Sequence, residues 1–191
     1  MTTKEIQKDL KNKLKPARYE HTLGVSDTAQ HLAKIHGYDC AKAALAGLLH
    51  DCAKYMADDK KIALCREYGV SISDAEYKNP SLLHAKCGAI LAEHEYQIID
   101  FDILHAIRVH TTGVDKIIFI ADYIEPNRDK APHLKELRKL ADKDLDETTY
   151  LILKDTVDYL KAHEDQTMDP TTVSAYEYYR DWHNSQNRKG V

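Results

Sequence analysis

Residues 43–54 read AALAGLLHDCAK, seven uncharged residues followed by a histidine and an aspartate side by side. A run this apolar implies burial, yet burying a polar group without partners is costly, a carboxylate most of all. A bound cation reconciles the two, and its other ligands must then come from elsewhere in the chain. The run has helical character, and its spacing predicts a helix over about 39–55 with Asp39 as N-cap.

Working outward, almost every segment carries helical periodicity. Residues 3–13 read as a short amphipathic helix ended before Pro16. Over about 17–36, Val25, Ala29, Leu32 and His36 share a face, His21 extends that stripe at i−4, and Gly37 supplies a stop. A polar helix follows at about 58–68, then a loop near 69–80 rich in turn formers. Pro80 opens a helix running to about 96. Two more cover 100–110 and 114–125, separated by Thr111-Thr112-Gly113, and Pro126 closes the second. Segments 131–141 and 145–163 are helical, and a last helix starts after Asp169-Pro170. Strand-like alternation is weak throughout, so the class is all-α. Without internal repeat or linker, residues 1–191 read as one domain, a core of about 17–128 with C-terminal helices of about 131–185 packed on it.

Bulk properties agree with this reading. The chain has 191 residues, enough for one substantial core, and seven glycines and five prolines leave little for a turn-rich β protein. A formal net charge of −4 offers no case for nonspecific nucleic-acid binding. The four cysteines lack C-x-x-C spacing and read as small buried residues rather than zinc ligands. No apolar run approaches the roughly 18 residues needed to span a bilayer, and nothing resembles a signal peptide, so the expected location is the cytoplasm.

Four groups share the burial problem. His21 lies on an apolar stripe, His50 and Asp51 follow the apolar run, and Asp122 is set in IIFIADYI, residues 117–124. Taken singly, a histidine on an apolar face is usually a satisfied core residue, and a buried aspartate often caps a helix. On successive helices, two histidines and two carboxylates make a nitrogen and oxygen donor set suited to Fe, Mn, Zn or a similar divalent metal. His84 and His110 extend the set, either as ligands of a second metal bridged by a carboxylate such as Asp51 or as phosphate contacts. His31, His36, His94, His105, His133, His163 and His183 read as surface or structural.

The order His21, His50-Asp51, Asp122 resembles the HD-domain superfamily of metal-dependent phosphohydrolases. The flanking words RYEHTLGV (18–25), LAGLLHDCAKY (45–55), NPSLLHAKCGA (79–89), AIRVHTTG (106–113) and IADYIEPNRD (120–129) are similar to its YqeK group. That resemblance covers roughly residues 4–185 and implies an HD-type helical bundle. It also implies symmetrical hydrolysis of diadenosine tetraphosphate to two ADP, through attack of a metal-activated water on an inner phosphorus.

By the same resemblance, His21, His50, Asp51 and Asp122 are metal ligands, and His84 and His110 ligands of a second metal or phosphate contacts. Iron stands first among the metals, as one or two ions, with Mn, Zn, Co and Mg as alternatives. Asp51, Asp122 and Lys54 are the expected catalytic groups. Arg18, which shares a helix face with His21, joins Lys54, Thr111, Gly113 and Arg128 as expected contacts to substrate. Thr172 and Tyr176 are the expected nucleotide contacts, although the aromatic stripe of 174–182 reads first as docking the last helix on the core. The expected partner is a small dinucleoside polyphosphate, with no nucleic acid or membrane, and the expected assembly is a homodimer. Alternatives at this stage are HD chemistry on a nucleoside monophosphate or a guanosine tetraphosphate-like alarmone, or a nucleotide-binding sensor without turnover.

Overall fold

A computed structural model of the chain describes residues 1–113, 115–163 and 169–189. Its α-helices are α1 (Thr3–Lys13), α2 (Pro16–His36), α3 (Cys40–Leu49), α4 (Asp58–Glu67), α5 (Asp74–Lys78), α6 (His84–His94), α7 (Phe101–Val109), α8 (Lys116–Ile124), α9 (Leu134–Ala141), α10 (Leu145–Ala162) and α11 (Pro170–Lys189). A 3-10 turn, Pro80–Leu83, leads into α6. The described residues contain no strand, and the all-α class is borne out.

Local chemistry accounts for most of these bounds. Asp39 caps α3 as expected, its carboxylate accepting from the Ala41 and Lys42 amides. Gly37 ends α2 with φ 76°, a left-handed conformation that glycine adopts without penalty. Asp100 and Asp115 cap α7 and α8 in the same way as Asp39. The expected start of the latter helix at 114 lies outside the described residues.

Three expectations need correction. The helix expected over 39–55 stops at Leu49, and residues 50–56 continue as tighter turns in which the Cys52, Lys54 and Met56 amides donate three residues back. The ring of His50 takes the Gly47 carbonyl of its own helix, and the Cys52 thiol donates to Gly88 O of α6, so a local side-chain bond and a tertiary one accompany the break in the α-helical pattern. Within the loop expected at 69–80 lies α5, built on a capping box between Ser73 and Glu76. Finally, the helix expected from 131 starts at Leu134, because His133 holds φ 56° directly after Pro132.

α2 and α3 cross at the centre. A Cβ on Gly47 would lie 3.0 Å from Ser26 Cα and 3.1 Å from Val25 O, so the two backbones approach as only glycine permits. Around this crossing α8 packs on α2, α7 on α3, and α6 on α7, while α10 bridges α8, α9 and α11. Leu32, Leu48, Leu49, Ile107, Ile120 and Ile152 belong to one continuous apolar cluster. The helices holding the expected ligands are thereby packed side by side.

Candidate metal centre and substrate cavity

His21, His50 and Asp122 present one ligand atom each within 4.8 Å of one another, and so do His50, Asp51 and His110. The two groups share His50, and Asp51 links them to His84. Asp51 Oδ2 lies 3.5 Å from His50 Nε2, while Oδ1 lies 3.4 Å from His84 Nε2 and 3.8 Å from His110 Nε2. The expected first ligands and the two further histidines are therefore all brought together. With a side chain only 3% exposed, Asp51 is the deeper of the two carboxylates, whereas Asp122 retains 27%.

Histidine tautomers follow from position in the helices. The last carbonyls of a helix lack intrahelical donors. His50 and His110 follow the ends of α3 and α7, and their Nδ1 atoms lie 2.7 Å from Gly47 O and Ile107 O. At the junction of the 3-10 turn and α6, His84 Nδ1 lies 2.7 Å from Ser81 O. A carbonyl only accepts, so each Nδ1 carries the proton and each neutral ring turns an Nε2 lone pair inward.

This arrangement tests whether a divalent metal fits. His21 Nε2 and His50 Nε2 are buried without a hydrogen-bond partner. His21 Nε2 approaches Asp122 Oδ1 to 3.0 Å, yet without hydrogen-bonding alignment. Two ligands bound at right angles at about 2.1 Å from one cation lie about 3.0 Å apart, so the approach is that of co-ligands. His84 Nε2 and His110 Nε2 stand 3.2 Å apart with both Nδ1 protons committed to carbonyls. Either one ring is protonated or both lone pairs share a cation. Burial, and then the neighbouring imidazole, hold the His84 pKa down to about 3 and that of His110 to about 4. Protonation is disfavoured, and the donor set fits a divalent metal.

The carboxylates are ready to ligate. Burial pushes the Asp51 carboxyl up, but His50, Lys54 and His84 outweigh it and hold the group well below the usual range. Asp122 is also lowered against its burial, by His21, His50 and Arg128. For His50 burial acts downward, and Asp51 and Asp122 together raise it.

Three cations ring the mouth. Arg18 Nη1 lies 2.8 Å from Asp51 Oδ2, Arg128 Nη2 3.0 Å from Asp122 Oδ1, and Lys54 Nζ 3.9 Å from Asp51 Oδ1. Their side chains are 34–40% exposed, so each pairs with one of the two aspartates and still reaches solvent. Beside His21 opens a cavity of about 1170 Å³, whose wall includes Lys15, Arg18, Arg128 and Lys130, interleaved with acids, and the rings of Tyr123 and Tyr159.

The HD domain family matches residues 18–162. The chain belongs to the HD-domain family. Among relatives, it is 38% identical over 186 residues to a symmetrical bis(5'-nucleosyl)-tetraphosphatase of Bacillus subtilis, covering 93% of this chain and 97% of that protein. A protein of the same name from Halalkalibacterium halodurans is 42% identical over 165 residues, 83% of this chain and 87% of the other. A crystal structure from Clostridium acetobutylicum, described as a predicted HD superfamily hydrolase involved in NAD metabolism, superposes with a TM-score of 0.90 at 39% identity, over 95% of this chain and 98% of that one. These likenesses bear out the resemblance to the YqeK group.

Other expected contacts are placed less directly. Thr111 follows His110 in the turn after α7, half-buried, and Gly113 holds φ 77° with its Cα side against Leu153. Thr172 is buried in the first turn of α11, and Tyr176 stacks on Tyr150 of α10 at 6.3 Å. Neither lines the cavity beside His21. Tyr150 packing is the docking role that the aromatic stripe also allowed.

One acid in the cluster escaped the sequence reading. Glu125, 2% exposed, lies with Oε1 3.0 Å from His21 Nδ1. Its position three residues after Asp122, within the motif IADYIEPNRD that also holds Arg128, was the available signal.

Proposed function

We propose that this chain hydrolyses diadenosine tetraphosphate symmetrically to two ADP. The observation that carries this reading is a pair of donor groups joined at His50, with Asp51 between His50 and the His84–His110 pair and Arg18, Lys54 and Arg128 beside the two aspartates. His21, His50, Asp51 and Asp122 would hold a divalent metal, with His84 and His110 on the far oxygen of Asp51 for a second. The mixed imidazole and carboxylate donors suit Fe, Mn, Zn or Co, and the resemblance to the YqeK group puts iron first, with Mg as a further alternative. Bound there, the metal supplies Lewis acidity, which acidifies water and neutralises phosphoryl charge.

The chain's own residues orient the reaction. Arg18 and Arg128 present planar forks that bind phosphate oxygens as readily as the carboxylates they now touch. Lys54 adds a point charge for the departing ADP. One nucleotide half would enter the cavity beside His21, where Tyr123 and Tyr159 offer faces for the base, in place of the 174–182 rings. Helices of about 131–185 cover the core of about 17–128 from this side.

Product chromatography tests the reading. Two equal ADP are expected from the tetraphosphate, and AMP plus ATP would sink the symmetrical assignment. The description of the Clostridium structure favours a second reading, HD chemistry on another nucleotide, which a panel of nucleoside monophosphates, guanosine tetraphosphate and dinucleotides in the same assay separates. We read the protein as a cytoplasmic homodimer: no described helix is long and apolar enough to cross a membrane, and symmetric dimers are the commonest assembly. A monomer mass by light scattering would remove the dimer.

A further inference from the structure

Four histidines converge on the centre, and they are oriented by two different means. His50, His84 and His110 each use a backbone carbonyl three residues earlier, and each sits at the end of a helix or 3-10 turn, where a ring can reach such a carbonyl. His21 lies inside α2, where the carbonyls behind it serve the helix itself. Its Nδ1 must find a side chain, and the one it meets is Glu125 at 3.0 Å.

That carboxylate is itself held on several sides. Oε2 accepts from the Asn127 amide at 2.7 Å. Arg138, from α9, donates to the carbonyls of Ile124, Glu125 and Arg128 at 2.8, 2.8 and 2.9 Å, pinning the turn after α8. On the α2 side, a Cβ at Gly24 would come within 2.5 Å of Glu125 Oε2, so the acid occupies space that this glycine leaves open. Gly24 has no left-handed backbone to excuse it, and room for Glu125 is the reason the structure gives for it.

We propose that Glu125 is the positioning residue of His21: it fixes the Nδ1–H tautomer and aims Nε2 at the point shared with His50 and Asp122, with Gly24 and Arg138 setting its place. In this role Glu125 acts through the His21 ring, and its side chain, 2% exposed, belongs to the wall of the cavity beside that ring. Partners of this kind are worth about tenfold to a hundredfold in metal affinity. The inference rests on the metal reading above and deepens it.

The test is titration of the chelator-stripped full chain with Mn²⁺ and with Zn²⁺, followed calorimetrically, with melting curves of the same samples in chelator. Glu125→Ala should weaken both metals by about tenfold to a hundredfold. Glu125→Gln, whose amide oxygen still accepts from Nδ1, should restore most of that loss. Gly24→Ala, which displaces the carboxylate without removing it, should follow Glu125→Ala. A role confined to folding would lower the melting temperature and leave metal affinity intact. Wild-type affinity within twofold in Glu125→Ala, or in Gly24→Ala should the first fail to fold, would overturn the proposal. A wild-type chain that binds neither metal would sink the metal reading, and this inference with it.

Discussion

At the scale of single residues, Asp51 joins groups with opposite demands, since Arg18 competes for the carboxylate oxygen nearest His50. A guanidinium that exchanges this oxygen for a phosphate should act on substrate affinity rather than on metal. A hydrogen bond between charged groups contributes about 1.5–3 kcal/mol. Arg18→Ala should therefore raise KM about tenfold to a hundredfold with Mn²⁺ affinity unchanged, as steady-state kinetics beside metal titration would read. His84 and His110 make a second case. Both bind a proton less readily in the fold, at about 3 and about 4, than in the unfolded chain, where histidine titrates near 6.5. Below that pH the unfolded chain gains protons that the fold refuses. The metal-free protein should then lose about 1.4 kcal/mol per pH unit for each, until pH approaches the folded values. His50, raised by Asp51 against its burial, acts in the other window, its contribution fading as pH rises past about 6.5. Urea unfolding in chelator at pH 6.5 and 5 should show the loss, and His84→Gln should remove about half of it; a flat profile would contradict the neutral pair.

At the scale of elements, the α2–α3 crossing sets the distance between His21 and His50, whose ring centroids stand 5.4 Å apart. Gly47→Ala poses two opposed effects. Alanine favours a helix by about 1 kcal/mol over glycine. Against that, its Cβ meets backbone atoms of Val25 and Ser26 at 3.0–3.1 Å, which a side-chain shift cannot relieve. Overpacking of this kind costs about 1–3 kcal/mol, so a net loss is expected, with weaker metal binding as the helices separate. Calorimetric melting and titration would record both, and an unchanged metal affinity would show that the crossing does not set the site. Helix identities were legible in the sequence because periodicity and caps such as Asp39 and Gly37 act locally. The end of α3 was not, since LLHDCAKY holds no glycine or proline and its partners, among them Gly88 O, come from a distant helix. α5 did carry its signal in Ser73 and Glu76, hidden among turn formers. His21, His50, Asp51 and Asp122 stood out because a polar group in an apolar stripe is visible in one dimension. Glu125 did not, because it borders Pro126 in a polar segment and only the fold reveals its burial against α2.

Across the whole molecule, a metal at this centre would tie α2, the turn after α3 and α8, with α6 and α7 joined through Asp51. None of these contacts survives unfolding, so binding energy becomes folding energy. A ligand present at about a thousand times its Kd stabilises the fold by about 4 kcal/mol. For a domain of this length each kcal/mol is worth about 2–4 °C, so stripping the metal should lower the melting temperature by about 8–16 °C. The apolar cluster runs from α1 to α11 and does not depend on the centre, and the stripped chain should therefore remain helical by circular dichroism. Asp122→Asn separates the metal from other effects of chelators. It keeps the shape at the mouth, removes one anionic ligand and leaves Arg128 without its ion pair. That variant should melt near the stripped wild type and respond little to added Mn²⁺. A variant still stabilised by Mn²⁺ as strongly as the wild type would mean that Asp122 does not ligate, and that the centre is held by His50, Asp51, His84 and His110 alone.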